Sequence, residues 1–142
     1  MAESKAIFRV HGFKPRNVID YSYQFTRPVD PENQVSGRAR GGKITVTVKA
    51  RKDGNNELLA WTTGIGNVGK KGEIVVYDYE GKEEKTIQFQ DGYGMDYTEN
   101  WKDVQWDTKD GKLKEMLNHT EKIVISCKII AVGSSKFKND WE

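Results

Sequence analysis

Residues 35–50 read VSGRARGGKITVTVKA, two kinds of sequence joined at Lys43. From Lys43 onward the alternation is strict. Ile44, Val46, Val48 and Ala50 fall on one side, and Lys43, Thr45, Thr47 and Lys49 on the other. Period two is the mark of a strand with one face buried and one face wet. Before Lys43 the chain is small, basic and glycine-rich. It closes the segment 27–42, RPVDPENQVSGRARGG, which holds two of the three prolines. A structureless connection of that length inside a small domain is uncommon and usually functional. Gly41 and Gly42 allow a sharp backbone turn into the strand at Lys43.

The same alternation recurs on both sides of this stretch. In IDYSYQF, Ile19, Tyr21, Tyr23 and Phe25 share one face, and Asp20, Ser22 and Gln24 the other. TIQFQ puts Ile87 and Phe89 inward. KAIFRVHG and EIVVYDY are weaker strands, apolar in part on both faces. KIVISCKIIAVG aligns Ile123, Ile125, Cys127, Ile129 and Ala131 against Ser126 and Lys128. One helix is expected, over residues 55–64, NNELLAWTTG. Asp53 or Asn55 is placed to cap it, Trp61 to anchor it, and Gly64 to end it in the left-handed conformation. Residues 100–120 show no clear period. A turn is expected at Asp110-Gly111, then a helical turn through Leu113, Met116 and Leu117. There is no internal repeat. Many short strands around one short helix predict a mainly β fold, a small antiparallel barrel or sandwich, and 142 residues fit one domain, 1–142.

Composition narrows the function classes. Only 36% of residues are hydrophobic and 31% are charged, so the core is thin and much surface is solvated or used in assembly. The 23 basic and 21 acidic residues nearly cancel, against the basic excess of a dedicated nucleic-acid binder. A single cysteine allows no internal disulfide. The start, MAESKAIFRV, has no apolar run of a signal peptide, and no stretch approaches the roughly 18 apolar residues of a membrane helix. A cytoplasmic protein without membrane insertion is expected, with export through a machine that needs no cleaved signal left open.

The motifs that suggest chemistry are weak. GIGNVGKK, residues 64–71, has the glycine and lysine spacing of a phosphate loop, but Lys71 stands where the magnesium-binding Ser or Thr belongs. It also runs from helix to strand, the reverse of the required order. GRARGGK is a single arginine–glycine copy without aromatics. Arg38 and Arg40 suit carboxylates as well as phosphates, so a monomeric barrel that binds nucleic acid through this loop is the alternative reading. A Cys127 nucleophile paired with His11 or His119 competes with a core cysteine, and the mid-strand position on an apolar face favours the core. The short-spaced ligands of a zinc site and the alternating acids of a calcium loop are missing. No catalytic, metal or cofactor residue is assigned.

The order of these pieces resembles a known family. YSYQF before the long loop, SGRARGGKITVTV after it, the Leu-Leu-x-Trp helix, and IIAVG…NDWE at the end are similar to the Hcp (TssD) tube protein of the type VI secretion system, in its Bacteroidetes branch. Residues 100–120 depart from it, because the family usually has a shorter link there. The resemblance implies a small β-barrel with a side helix, a structural subunit and no enzyme. It implies homohexameric rings that stack into a tube, with sheath, spike protein and effectors as partners. It also implies secretion through the type VI apparatus. Within that frame Arg27, Asp30, Arg38, Arg40, Gly41 and Gly42 are expected at contacts between subunits or stacked rings, and Ser22, Gln24, Thr45 and Thr47 on the lumen face.

Overall fold

The computed structural model describes residues 5–26, 40–51, 53–64, 68–102, 105–107, 112–114, 119–133 and 135–138. The strands are β1 (Lys5–Val10), β2 (Arg16–Thr26), β3 (Arg40–Lys49), β4 (Lys70–Tyr77), β5 (Glu83–Trp101), β6 (Gln105–Asp107), β7 (Lys112–Lys114), β8 (His119–Val132) and β9 (Ser135–Lys138). The helix α1 (Glu57–Thr63) lies between β3 and β4. The main sheet runs β3-β2-β1-β4-β5-β8-β9, and β3 also pairs with β8. That last pairing closes six antiparallel strands into a barrel, which leaves no open edge among them. The mainly β, one-helix barrel predicted from the sequence is the fold observed.

The apolar faces meet inside. Ile44, Val46 and Val48 of β3 and Ile123, Ile125 and Cys127 of β8 are fully buried, together with Phe8, Ile74, Ile87 and Phe89. Phe8 and Phe89 pack with ring centroids 6.4 Å apart. Helix α1 has only 7 residues, too short to stand without packing. Its Leu58 and Trp61 enter the same core. Trp61 meets Phe13 edge-on at 5.8 Å, and its indole N–H donates to the Val68 carbonyl at 3.1 Å.

Several local expectations change. The strand after the long loop starts at Arg40, not Lys43, because Thr26 pairs with Arg40 and Phe25 with Gly41. Gly42 does not turn the chain into the strand. It is the extra residue of a β-bulge within it, opposite the step from Gln24 to Phe25, at φ 81°. A second bulge at Ile19 shifts the core face of β2 to Val18, Tyr21 and Tyr23. In β8 the alternation breaks after Cys127. Ile130 is the buried residue, while Ile129 and Ala131 are half-buried. The partner strand β5 changes face at the same level, where Asp91 takes φ 50° between buried Phe89 and Gly92. Gly64 is extended (φ −69°, ψ 143°), not left-handed. It is needed there because a Cβ would lie 2.6 Å from the Ala60 carbonyl oxygen. Asn56 occupies the N-cap without a side-chain cap bond, while Asn55 Oδ1 accepts from the Glu57 N–H at 2.9 Å. Leu113 is in β7, paired with Trp106 of β6, and not in a helical turn. Met116, Leu117 and the Asp110-Gly111 turn lie outside the described residues.

Candidate assembly surface

Closing the barrel with the apolar residues inside turns the other residues of each strand outward. On four adjacent strands, β2, β3, β8 and β5, the registers line these up in rows. Ser22, Thr45, Val124 and Asp96 form one row. Asp20, Thr47, Lys122 and Thr98 form the next, and Gln24, Lys43, Ser126 and Tyr93 a third. Ser22, Gln24, Asp20, Lys43, Lys122, Asp96 and Thr98 are exposed; Thr45 and Thr47 are half-buried. At about 4.8 Å per strand the rows span roughly 15 Å. The surface is polar apart from Val124 and Tyr93, and Asp20 and Asp96 balance Lys43 and Lys122. It offers hydrogen-bonding groups and little net charge.

The structure therefore gathers Ser22, Gln24, Thr45 and Thr47 on one outer face. Arg27, Asp30 and Arg38 lie outside the described residues. Arg40 and Gly41 are in the paired start of β3, and Gly42 is the buried bulge residue beside them.

One polar cluster was not read from the sequence. Arg16, at the start of β2, donates to the Glu121 carboxylate and, at 3.1 Å, to the Lys49 carbonyl. The Tyr97 hydroxyl donates to the other Glu121 oxygen at 2.6 Å. Burial lowers the Arg16 pKa from its ordinary value and raises that of Tyr97. The cluster joins β2, β3, β5 and β8 at one end of the barrel. Glu99 and His119 meet just beyond it at 2.9 Å, and Arg51 pairs with Asp53 at 2.8 Å. The available signal was parity: Glu121 falls on the same face as Ile123, Ile125 and Cys127.

The reactive-cysteine reading ends here. Cys127 is fully buried, and burial pushes its thiol up to about 12, far from the thiolate a nucleophile requires. Among the described residues no cluster of His, Cys, Asp or Glu could hold a metal ion, and no helix is long and apolar enough to cross a membrane.

A closed antiparallel barrel with its core inside and one broad polar face defines the fold class. The chain belongs to the family of the hemolysin coregulated protein Hcp (TssD), whose model matches residues 2–142, and it is a tube protein of that family. The family is one of structural tube proteins secreted by type VI systems, not an enzyme family. Among solved structures it is similar to Hcp1 from Flavobacterium johnsoniae, with 26% identity and a TM-score of 0.77, covering 95% of this chain and 99% of that one. Hcp1 from Salmonella typhimurium shares the fold at 8% identity and a TM-score of 0.66, covering 96% and 92%. So does the sheath/tube terminator of an extracellular contractile injection system, at 15% identity and 0.55, covering 90% and 92%. No match is found among curated protein sequences.

Proposed function

We infer that the chain is, over residues 1–142, a single-domain subunit of a type VI inner tube. It forms homohexameric rings that stack and carry effectors, with sheath and spike protein as further partners. The observation that bears most on this reading is the polar face on β2, β3, β8 and β5. A closed barrel already has a filled interior, so a wet passage must form between copies, and this face is polar and nearly charge-balanced along three registered rows. Ser22, Gln24, Thr45 and Thr47 then line the lumen. Head-to-tail contacts that close give rings, and stacking them gives a tube. The 27–42 segment supplies contacts between stacked rings through Arg27, Asp30, Arg38 and Arg40. The subunit carries out no chemistry, is made in the cytoplasm and leaves through the apparatus. Negative-stain imaging of purified protein tests this: rings with a central opening, and short stacks at high concentration, are expected. Featureless particles of single-subunit size contradict it.

A further inference from the structure

An open groove of about 410 Å³ lies along the outer side of β1, β4 and β5. Phe13 and the edge of Phe89 form its apolar floor. The Phe89 ring reaches the floor because position 72 is glycine; a Cβ there would lie 2.5 Å from its Cζ. Cations gather at the rim. Arg9 is held by Glu73 at 3.6 Å, and Lys70 Nζ stands 5.1 Å from the Phe13 ring centroid. Lys71 is exposed and has no ion-pair partner among the described residues. An aromatic floor beside two lysines suits an aromatic side chain flanked by carboxylates.

The other end of the same strand carries such a group. β4 passes into β5 through residues 78–84, Asp-Tyr-Glu-Gly-Lys-Glu-Glu, four acids against one lysine. The turn is pinned by its own hydrogen bonds. Asp78 Oδ1 accepts from the Glu80 and Lys82 N–H groups, each at 2.9 Å, and the Asp78 N–H donates to the Lys82 carbonyl at 2.9 Å. Gly81 closes the turn at φ 84°. Tyr79 stands beside Glu80, 62% exposed. A turn already fixed loses little conformational freedom on docking, and tyrosine is a frequent interface anchor.

Groove and turn cannot meet within one chain. Lys71 and Tyr77 lie at opposite ends of β4, roughly 20 Å apart at about 3.3 Å per residue, and the ladders to β1 and β5 hold the strand extended between them. They can meet between copies. Both belong to the β1–β4–β5 wall, away from the polar rows on β2, β3, β8 and the later half of β5, so their contact leaves that face open. We propose that the acidic β4–β5 turn of one copy docks in the groove of the next, head to tail. Tyr79 lies on the Phe13 floor, and Glu80 and Glu83 face Lys70 and Lys71. The opposite charges set the register of the contact. Unlike surfaces meet, so each copy uses its turn on one neighbour and its groove on another. This contact rests on the tube reading, in which copies assemble, and assigns two of the surfaces that meet.

Carbodiimide cross-linking of the full chain, read by denaturing electrophoresis and mass spectrometry, tests this. The expected products join Lys70 or Lys71 to Glu80 or Glu83 and occur in a ladder of bands at two or more chain masses. Tyr79→Ala, which keeps every linking group, lowers their yield several-fold. Lys71→Glu and Glu80→Lys each lower it as well, and the two together in one chain restore it, because every copy then offers the exchanged pair. Such links in the single-chain band overturn the contact between copies. Assemblies seen by negative stain that give no such links, or a yield unchanged by Tyr79→Ala, overturn it and leave the tube reading in place. Single-subunit particles at every concentration contradict both.

Discussion

Arg16 and Glu121, 105 residues apart in sequence, form an ion pair whose side chains are 2% and 3% exposed. The pair stands where β2, β3, β5 and β8 meet at the end of the barrel. Its strength as a design feature lies in mutual dependence, because removing one partner leaves a buried charge alone. Glu121→Leu is expected to cost about 3–5 kcal/mol, as for other broken buried pairs. Arg16→Met with Glu121→Leu is expected to cost less than Glu121→Leu alone. Chemical denaturation at fixed protein concentration, run as a double-mutant cycle, measures this coupling. Additive costs contradict the pairing.

Cys127 ties stability to alkaline pH. Its thiol is raised from an ordinary value of 9.0 to about 12 by burial, so the folded state keeps the proton that the unfolded chain loses. With the unfolded state binding fewer protons between these values, stability is full below about pH 8.5 and falls as pH rises toward 12, by about 1.4 kcal/mol per unit. Cys127→Ala removes this slope while costing about 1 kcal/mol at neutral pH as a small truncation. Denaturation midpoints at pH 8 and pH 10, for both proteins, check it. Rapid reaction of the native thiol with a disulfide reagent contradicts the burial on which it rests.

Gly42 tests the bulge that leads from the long loop into β3. At φ 81° any residue with a Cβ is disfavoured. Gly42→Ala is expected to cost about 1–2 kcal/mol, the usual penalty of the left-handed region for an L residue. Gly41→Ala, at the neighbouring position paired with Phe25, is expected to cost less. Thermal unfolding of the two variants side by side separates them, and equal costs contradict the assignment of the bulge.

The sequence was readable where period two persists. Lys43–Lys49 and Lys122–Cys127 alternate without interruption, and both core faces are as expected. Reading failed where one residue breaks the period. The bulge at Ile19 and the face change at Asp91 move neighbouring residues by one place, and nothing in Ile19 or Ile129 alone announces it. The strands β6 and β7 have three residues each, too few to display any period. Arg16 and Glu121 meet only through closure of the barrel. Glu121 was nonetheless visible as a carboxylate on an apolar face, which calls for a buried cation. Arg27, Asp30 and Arg38 have a legible chemistry, forked donors and an acid in a proline-containing segment, but that segment has no period from which its contacts could be read.

The loop prediction follows from that chemistry. Arg38→Glu with Arg40→Glu is expected to leave the fold and the single ring intact while weakening stacking and secretion, because charges at a rim steer and register more than they bind. Circular dichroism, ring size and tube length for variant and wild type measure the three effects separately. Unchanged stacking and secretion contradict a role for the loop between rings.

The lumen assignment calls for a reagent that distinguishes inside from outside. Thr45→Cys in a Cys127→Ala background is expected to react with a small maleimide in every state. In stacked tubes it is expected to resist a maleimide on a bulky polymer, which dispersed subunits admit. Equal reaction with the polymer in both states places the β2–β3–β8–β5 face on the outside.

The central claim is that this barrel is built to assemble, and native mass spectrometry of the purified chain at tens of micromolar tests it most directly. A dominant species at six times the 16.2 kDa chain mass is the expected result. A single species at the chain mass, unchanged as concentration rises, contradicts the account.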